Sequence, residues 1–533
     1  MPQLPRSNRV PIRVMRRNQL HLFFAAGAVL ALVHLGDAAT AWDKKLKSDE
    51  KVQHALNRLA FGPRPGDMDR VKKMGVDRWI AQQLEPSKIA ESAELTARLA
   101  PLDSVRMSMG EMTAKYPPRQ LIRAFTNAKA KGRRNAPAMT EEMKANLERL
   151  ASAERPRGLR DMAPETRREA LAKSAPQLLV TSELIENKLY RAVYSERQLE
   201  EVLVDFWFNH FNVYLNKGLV RHLTTSYERD AIRPFVLGKF KDMVRATAEH
   251  PAMLVYLDNW QSVDPAAVEN MKRRAKRAGF DVPKRARGLN ENYGRELLEL
   301  HTLGVDGGYT QKDVVEVARC FTGWTISGVL NDPRFQFVDR VHDKGEKVVL
   351  GRTIAAGGGQ NDALEVIGII AAHPATARFI SRKLAQRFVA DEPPQQLVDR
   401  MAATFTKTGG DLREVMKTMI HSREFFSEGA YRAKMKSPFE MVVSAVRAVN
   451  ADVRSAITLS QSIDELGQPL YRKEEPTGYG NTSADWVSTA GLLARMNFAV
   501  ALTQNKLRGV TVEPTSLPKD PALAFGSPEF QRR

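Results

Sequence analysis

Glu296 and Glu299 lie three residues apart inside the stretch Asn290 to Trp324, NENYGRELLELHTLGVDGGYTQKDVVEVARCFTGW. On a helix that spacing puts two carboxylates one turn apart. They could then share a proton in acid/base catalysis or ligate one divalent cation. At about 100° per residue, Asn292, Arg295, Glu296 and Glu299 form one stripe, with Asn290 at its entrance. Arg295 is four residues from both Glu291 and Glu299 and pairs naturally with either. Tyr293, Leu297, Leu300 and His301 fall on the opposite side, where His301 fits either a hydrogen-bonded core position or a ligand. The same stripe also fits a solvated row of ion pairs.

Three smaller groups carry polar chemistry. Asp205-Phe206-Trp207-Phe208-Asn209-His210-Phe211 sets polar side chains in an aromatic run. As a helix it places His210 near Trp207 and Asp205 near Asn209. Buried polar groups need partners, so Asn209 and His210 belong either to a structural network or to the wall of a site. Trp324 follows Thr322 and Gly323 at the end of the long stretch. His342 and Asp343 fall in a predicted hairpin loop, where function concentrates, although Asp343 also suits a turn. The expected catalytic set is Glu296, Glu299, Arg295 and His210. The expected binding set is Asn209, Asn290, Asn292, His301, Trp324, His342 and Asp343. No cofactor is evident, a divalent cation is compatible with the glutamates, and the metal ligands stay unassigned.

Several familiar sites are missing. The sequence contains no His-Glu-x-x-His, no Gly-x-Ser-x-Gly and no dinucleotide fingerprint, and Gly357-Gly358-Gly359-Gln360 lacks the Lys-Ser/Thr of a phosphate loop. The one cysteine, Cys320, excludes an intrachain disulfide and Cys-based zinc sites. It lies in a Val/Ala/Phe helical pattern and reads as a small core residue.

The elements that would hold these residues are mostly helices. Val52, Ala55, Leu56 and Leu59 recur at helical spacing until Phe61-Gly62-Pro63, and Leu178 to Val213 is apolar enough to be core. Gly304 should end the glutamate helix, Asp306-Gly307-Gly308 should turn, and Thr310 with Asp313 should cap the next helix. The predicted hairpin, near residues 334–354, pairs Phe335-Gln336-Phe337-Val338 with Lys347-Val348-Val349-Leu350 through Asp343-Lys344-Gly345. Residues 127–173 are polar and basic and predict an exposed helical insertion or mobile arm. A second basic run, Lys272 to Arg287, carries Gly279 and Pro283 and predicts a loop. The fold class is therefore mainly α: a large multi-helix body with a small β-hairpin and a basic helical insertion. The predicted divisions are 42–126, the insertion 127–173, a main body 174–510 and a Pro-rich tail 511–533.

Before that body stands a leader. Arg16 and Arg17 precede the apolar run Leu22 to Val33, and Ala39-Thr40-Ala41 supplies a small-x-small cleavage pattern. The chain is expected to be exported, with the mature protein starting near Trp42. Arg16-Arg17-Asn18-Gln19-Leu20 faintly resembles a twin-arginine signal. The net charge is +19, of which the leader's five arginines and one aspartate supply +4. A field of that sign could hold an anionic polymer. Export and the absence of a recognition motif argue against nucleic acid.

Certain blocks of the chain resemble the family known as domain of unknown function 1800. They are His54 to Pro63 (HALNRLAFGP), Trp207 to Phe211 (WFNHF), His250 to Leu254 with Tyr256 to Asn259, and above all Asn290 to Gly304 (NENYGRELLELHTLG). Thr322-Gly323-Trp324, His342-Asp343, Lys436 to Glu440 (KSPFE), Gly467 to Leu470 (GQPL) and Arg495 to Phe498 (RMNF) add to the likeness, which covers nearly all of the mature chain. The sequence departs from the family pattern in a longer basic insertion and in Glu474 to Tyr479, which replaces a more apolar stretch. The resemblance implies an exported bacterial protein, often encoded beside an exported sulfatase-like or phosphatase-like partner. It implies no activity and no catalytic residues. The residues themselves leave two functions, a cell-envelope hydrolase or lyase acting on an acidic or glycan polymer or a non-catalytic periplasmic protein that binds an anionic polymer, and the resemblance adds the neighbouring exported enzyme as a partner of the second.

Overall fold

The computed structural model describes residues 41–130, 141–154, 157–159, 162–277 and 288–533. The leader lies outside them, as do the middle of the basic insertion and the Gly279 to Arg287 part of the second basic run. Helices dominate the described residues, and most of them close one extended core.

At its centre the Pro176–Tyr194 helix packs against the Gln198–His210 and Pro438–Ala448 helices. Leu184, Leu189 and Val193 on the first, Leu199, Leu203 and Trp207 on the second, and Met441, Val442 and Val446 on the third are all buried. Removing a side chain such as Leu189 to Ala from packing of this kind typically costs about 2–5 kcal/mol. Ser437 and Glu440 start the third helix as a capping box around Pro438. Cys320 is a buried core residue, and burial pushes its thiol up to about 12.

The glutamate stretch is a short α-helix, Glu291–Glu296, that runs directly into a π-helical turn, Leu297–Thr302. Asn290 accepts from the Tyr293 N–H to cap it, and Gly304 (φ 87°) ends it. Gly294 is needed because a Cβ there would stand 2.7 Å from the Val314 carbonyl oxygen of the crossing Gln311–Cys320 helix. Thr310 and Asp313 cap that second helix reciprocally, as their spacing predicts.

Two local expectations are corrected. The strands near 335 and 347 do not pair with each other. Arg334–Phe337 pairs antiparallel with Trp324–Ser327, and Lys347–Val349 pairs with Arg352–Ile354. Each strand takes the nearer partner in sequence, which closes the shorter loop. The start of the second basic run is not a loop either: the Pro265–Arg277 helix runs through Lys272 to Arg277, because Lys, Arg and Ala are good helix formers.

Where described, the basic insertion is helical. Met143 and Leu147 bury against Leu121, while Leu171 joins Met112, Tyr116 and Leu179 in a second small cluster. The tail folds back through the short helices Pro521–Gly526 and Pro528–Gln531, with Phe525 buried. Among the described residues no single helix is long and apolar enough to cross a membrane.

Candidate functional site

Glu296 and Glu299 are half-buried on their helix, and Asn292 is exposed. Burial and then the neighbouring Glu299 carboxylate raise the Glu296 carboxyl above its usual value, with Arg295 opposing them. Glu299 accepts a 3.0 Å hydrogen bond from the Tyr309 hydroxyl. Arg295 donates to Gln311 Oε1 at 2.7 Å, and Gln311 donates in turn to Glu291 at 2.8 Å. The stripe is thus tied to the next helix by polar contacts at its edge. Asn290 points the other way, donating to the Leu257 carbonyl at 2.8 Å.

His210 and His301 sit on the buried side. His210 Nε2 lies 3.0 Å from the His301 carbonyl oxygen, amid the rings of Phe206, Trp207 and Phe211. Burial and then Lys383 push His301 down to about 3, and the same two causes hold His210 well below its usual value. Among the described residues no contact joins His210 to either glutamate, and no group of three or more His, Cys, Asp or Glu could hold a metal ion. Trp324 is buried against Phe321 and Phe335.

His342 and Asp343 belong to a closed network. His342 Nδ1 lies 2.8 Å from the Thr322 carbonyl oxygen, and its Nε2 lies 3.1 Å from Asp362 Oδ2. Asp362 also accepts from Lys347 Nζ at 2.5 Å, and Lys347 donates to the Asp343 carbonyl. Asp343 accepts two bonds from Arg319, at 2.7 and 3.1 Å, and Arg319 pairs with Glu316 at 2.9 Å. His342, Lys347 and Asp362 are almost fully buried.

A small polar cleft lies elsewhere, where distant segments meet. It is narrow, about 40 Å³ in volume, with Lys188, Asp205, Asn209, Arg387, Tyr479 and Trp486 in its walls. Lys188 Nζ pairs with Asp205 at 2.8 Å. Arg387 Nη1 pairs with Glu440 at 2.8 Å, while its Nη2 stands 3.5 Å from Asp205. Arg387 is 5% exposed, yet its Nε and Nη2 carry no hydrogen bond. Asn209 exchanges two bonds with the Tyr479 backbone, 2.7 and 2.8 Å, and so fixes the rim. Gly478 (φ 71°) allows this approach, because a Cβ there would come 2.2 Å from the Asn209 carbonyl oxygen. Tyr479 and Trp486, with ring centroids 6.0 Å apart, form an aromatic lip.

Beneath the cleft is a buried basic hub. Glu440 meets Arg387 and, at 3.1 Å, Arg533. Burial alone would raise the Glu440 carboxyl, but Arg387 and Arg533 overcome it and hold it at about 2. Arg58 donates to the Val389 and Ala430 carbonyls, and Arg495 to the Lys436 carbonyl.

A family model described as a protein of unknown function (DUF1800) matches residues 54–531. The chain belongs to that family. No curated protein and no solved structure matches it. In this DUF1800 chain, five blocks that carried the resemblance meet at the cleft and the hub beneath it. HALNRLAFGP supplies Arg58, WFNHF supplies Asn209, KSPFE supplies Lys436 and Glu440, RMNF supplies Arg495, and GQPL supplies Gln468, which accepts from the Phe439 N–H at 2.9 Å.

Of the residues expected to be catalytic or binding, only Asn209 lines the cleft of this DUF1800 protein, beside Asp205 from the same aromatic run. Lys188, Arg387, Tyr479 and Trp486 were missed. Arg387 did leave a trace, because it continues the apolar face of Ile380 and Leu384 at positions i+7 and i+3.

Proposed function

We propose that this chain is an exported, non-catalytic binding protein for an acidic glycan, one carboxylate of which enters the narrow cleft while its sugar ring lies on the aromatic lip. The observation that carries the reading is Arg387: a guanidinium buried in the cleft wall with two nitrogens lacking hydrogen bonds. Buried polar groups are normally satisfied, and a carboxylate bound by the guanidinium fork would satisfy these. The Tyr479–Trp486 lip offers flat faces with polar edges, suited to a ring that is apolar on its face and polar at its rim. The leader's charged, apolar and small-residue parts support export.

A second reading, a hydrolase or lyase at the glutamates, has one observation in its favour: Glu296 is raised by burial and by Glu299. Its weakness is the separation of His210 from that pair.

The test is binding of full-length protein to polygalacturonate, with neutral dextran as control, together with a reducing-end and unsaturated-product assay. Wild type should bind the acidic polymer and release no product. Trp486→Ala and Arg387→Lys should each weaken binding roughly tenfold, the second because lysine keeps the charge but loses the fork. Equal binding to dextran, or binding that survives both substitutions and disappears only with added salt, would overturn the proposal, since net charge alone would then explain it. Product release that is abolished by Glu296→Gln would favour the enzyme.

A further inference from the structure

A second cleft, of about 720 Å³, opens on another face of the basic hub, between the Ser48–Leu59 and Pro438–Ala448 helices and the folded-back tail. Lys436 lines it. This lysine is 4% exposed, its amine reaches the cleft, and among the described residues no hydrogen bond or ion pair meets it. Its one close partner is the Phe530 ring, with Nζ 3.6 Å from the centroid. A cation over an aromatic face recovers only part of what withdrawing an ammonium from bulk water costs. The ammonium therefore lacks a counter-ion at this position.

The rest of the lining indicates what would supply one. Arg432 and Arg532 add two positive charges against the single carboxylate of Glu529. Pro63, Pro518, Phe525 and Phe530 give apolar wall, and the volume falls in the range of small-molecule sites.

We infer that this cleft is a binding site for a small anionic amphiphile, whose carboxylate or phosphate head pairs with Lys436 while its apolar body lies along Phe525, Phe530 and Pro518. The site is separate from the glycan cleft and does not depend on it.

Burial pushes the Lys436 amine down to about 7, with Glu440 opposing that and Arg533, Arg495 and Arg432 adding to it. Those four groups, with Glu529 and Arg532 in the cleft wall, are the charges that surround it. A bound anion would draw a proton onto the amine, so binding should weaken as pH rises above about 7 and should take up protons there.

The experiment is calorimetric titration of the full chain with decanoate and with octyl phosphate, using decanamide as neutral control, at pH 6 and pH 9. One or both anions should bind, at least tenfold tighter at pH 6, and decanamide should not. Preference between the two anions identifies the head group. Lys436→Met should keep its melting temperature and lose anion binding at least tenfold. Ala448→Phe fills the cleft from the helix side without touching the amine, and should also abolish binding; it decides the matter if Lys436→Met does not fold. Failure of both anions to bind wild type would overturn the inference. So would binding retained in Ala448→Phe, equal binding of decanamide, or affinity unchanged between pH 6 and pH 9. None of these outcomes bears on polygalacturonate binding, which reports on the other cleft.

Discussion

Two buried ionic clusters in this molecule are built from the same residue types and end in opposite states. Around His342, the cations Lys347 and Arg319 meet Asp362, Asp343 and Glu316, and the short bonds among them close the network. Around Glu440, the cations Arg58, Arg387, Lys434, Lys436, Arg495 and Arg533 meet chiefly Glu440 and Asp391, with Asp205 at the edge. Nitrogens of Arg58, Arg387 and Arg533 are left without hydrogen bonds there. Burying charge is costly in both places, but only the first returns that cost within the chain. The two clusters differ in a surplus of unmet donors, which in the second lies beside two clefts.

The largest effect should come from opening the closed cluster. Asp362→Asn leaves Lys347 buried without its anion, and should cost about 3–5 kcal/mol in urea unfolding, as removal of one partner of a buried pair does. A loss under 1 kcal/mol would mean that water already enters this network.

Acid should distinguish the second cluster by its window. Glu440 is held at about 2 in the folded state against an ordinary value of 4.5. Its depressed value contributes stability that is fully present above pH 4.5 and lost as pH falls through about 2. Glu440→Gln should lower stability at pH 7 by about 3 kcal/mol and remove that part of the acid dependence. Parallel acid profiles for wild type and variant would show that Glu440 does not anchor the hub.

The smallest effect is expected at the glutamate stripe. The Glu296 carboxyl is raised in the fold, so its ionised form is slightly unfavourable and stability falls as pH rises past 4.5. Glu296→Gln should therefore change neutral-pH stability by no more than about 0.5 kcal/mol, in the stabilising direction. A loss of several kcal/mol would place the stripe with the closed cluster instead.

The sequence made the helical architecture legible because helical periodicity is a local signal. The Thr310–Asp313 cap and the Gly304 stop were readable for the same reason. Strand pairing was not: segments of three or four residues each had two possible neighbours, and loop closure chose between them. The cleft was harder still. Lys188, Arg387 and Trp486 are drawn from widely separated parts of the chain, and each looks ordinary in its own segment, whereas Asp205 stood out beside Asn209. Asn209 was visible only because an amide in an aromatic run is locally odd. Lys436 and Glu440 were visible as part of a family-like block, without any hint that one would be paired and the other not.

The π-helical turn at Leu297–Thr302 has a mechanical consequence. It contains one residue more per hydrogen-bonded ring than an α-helix, and Leu298 accepts from both Leu303 and Gly304 at its end, at 2.8 and 3.2 Å. Thr302 closes the widened turn by donating to the Leu297 carbonyl at 2.6 Å. Deleting a single residue within this turn would restore α-helical pitch and swing everything upstream by about 100°. His301 would stay in its aromatic setting while Gly294 rotated off the crossing helix and a bulkier neighbour took its place. The extra residue thus works as a phase adjuster, letting one continuous rod satisfy two contact surfaces whose spacing no regular helix could match.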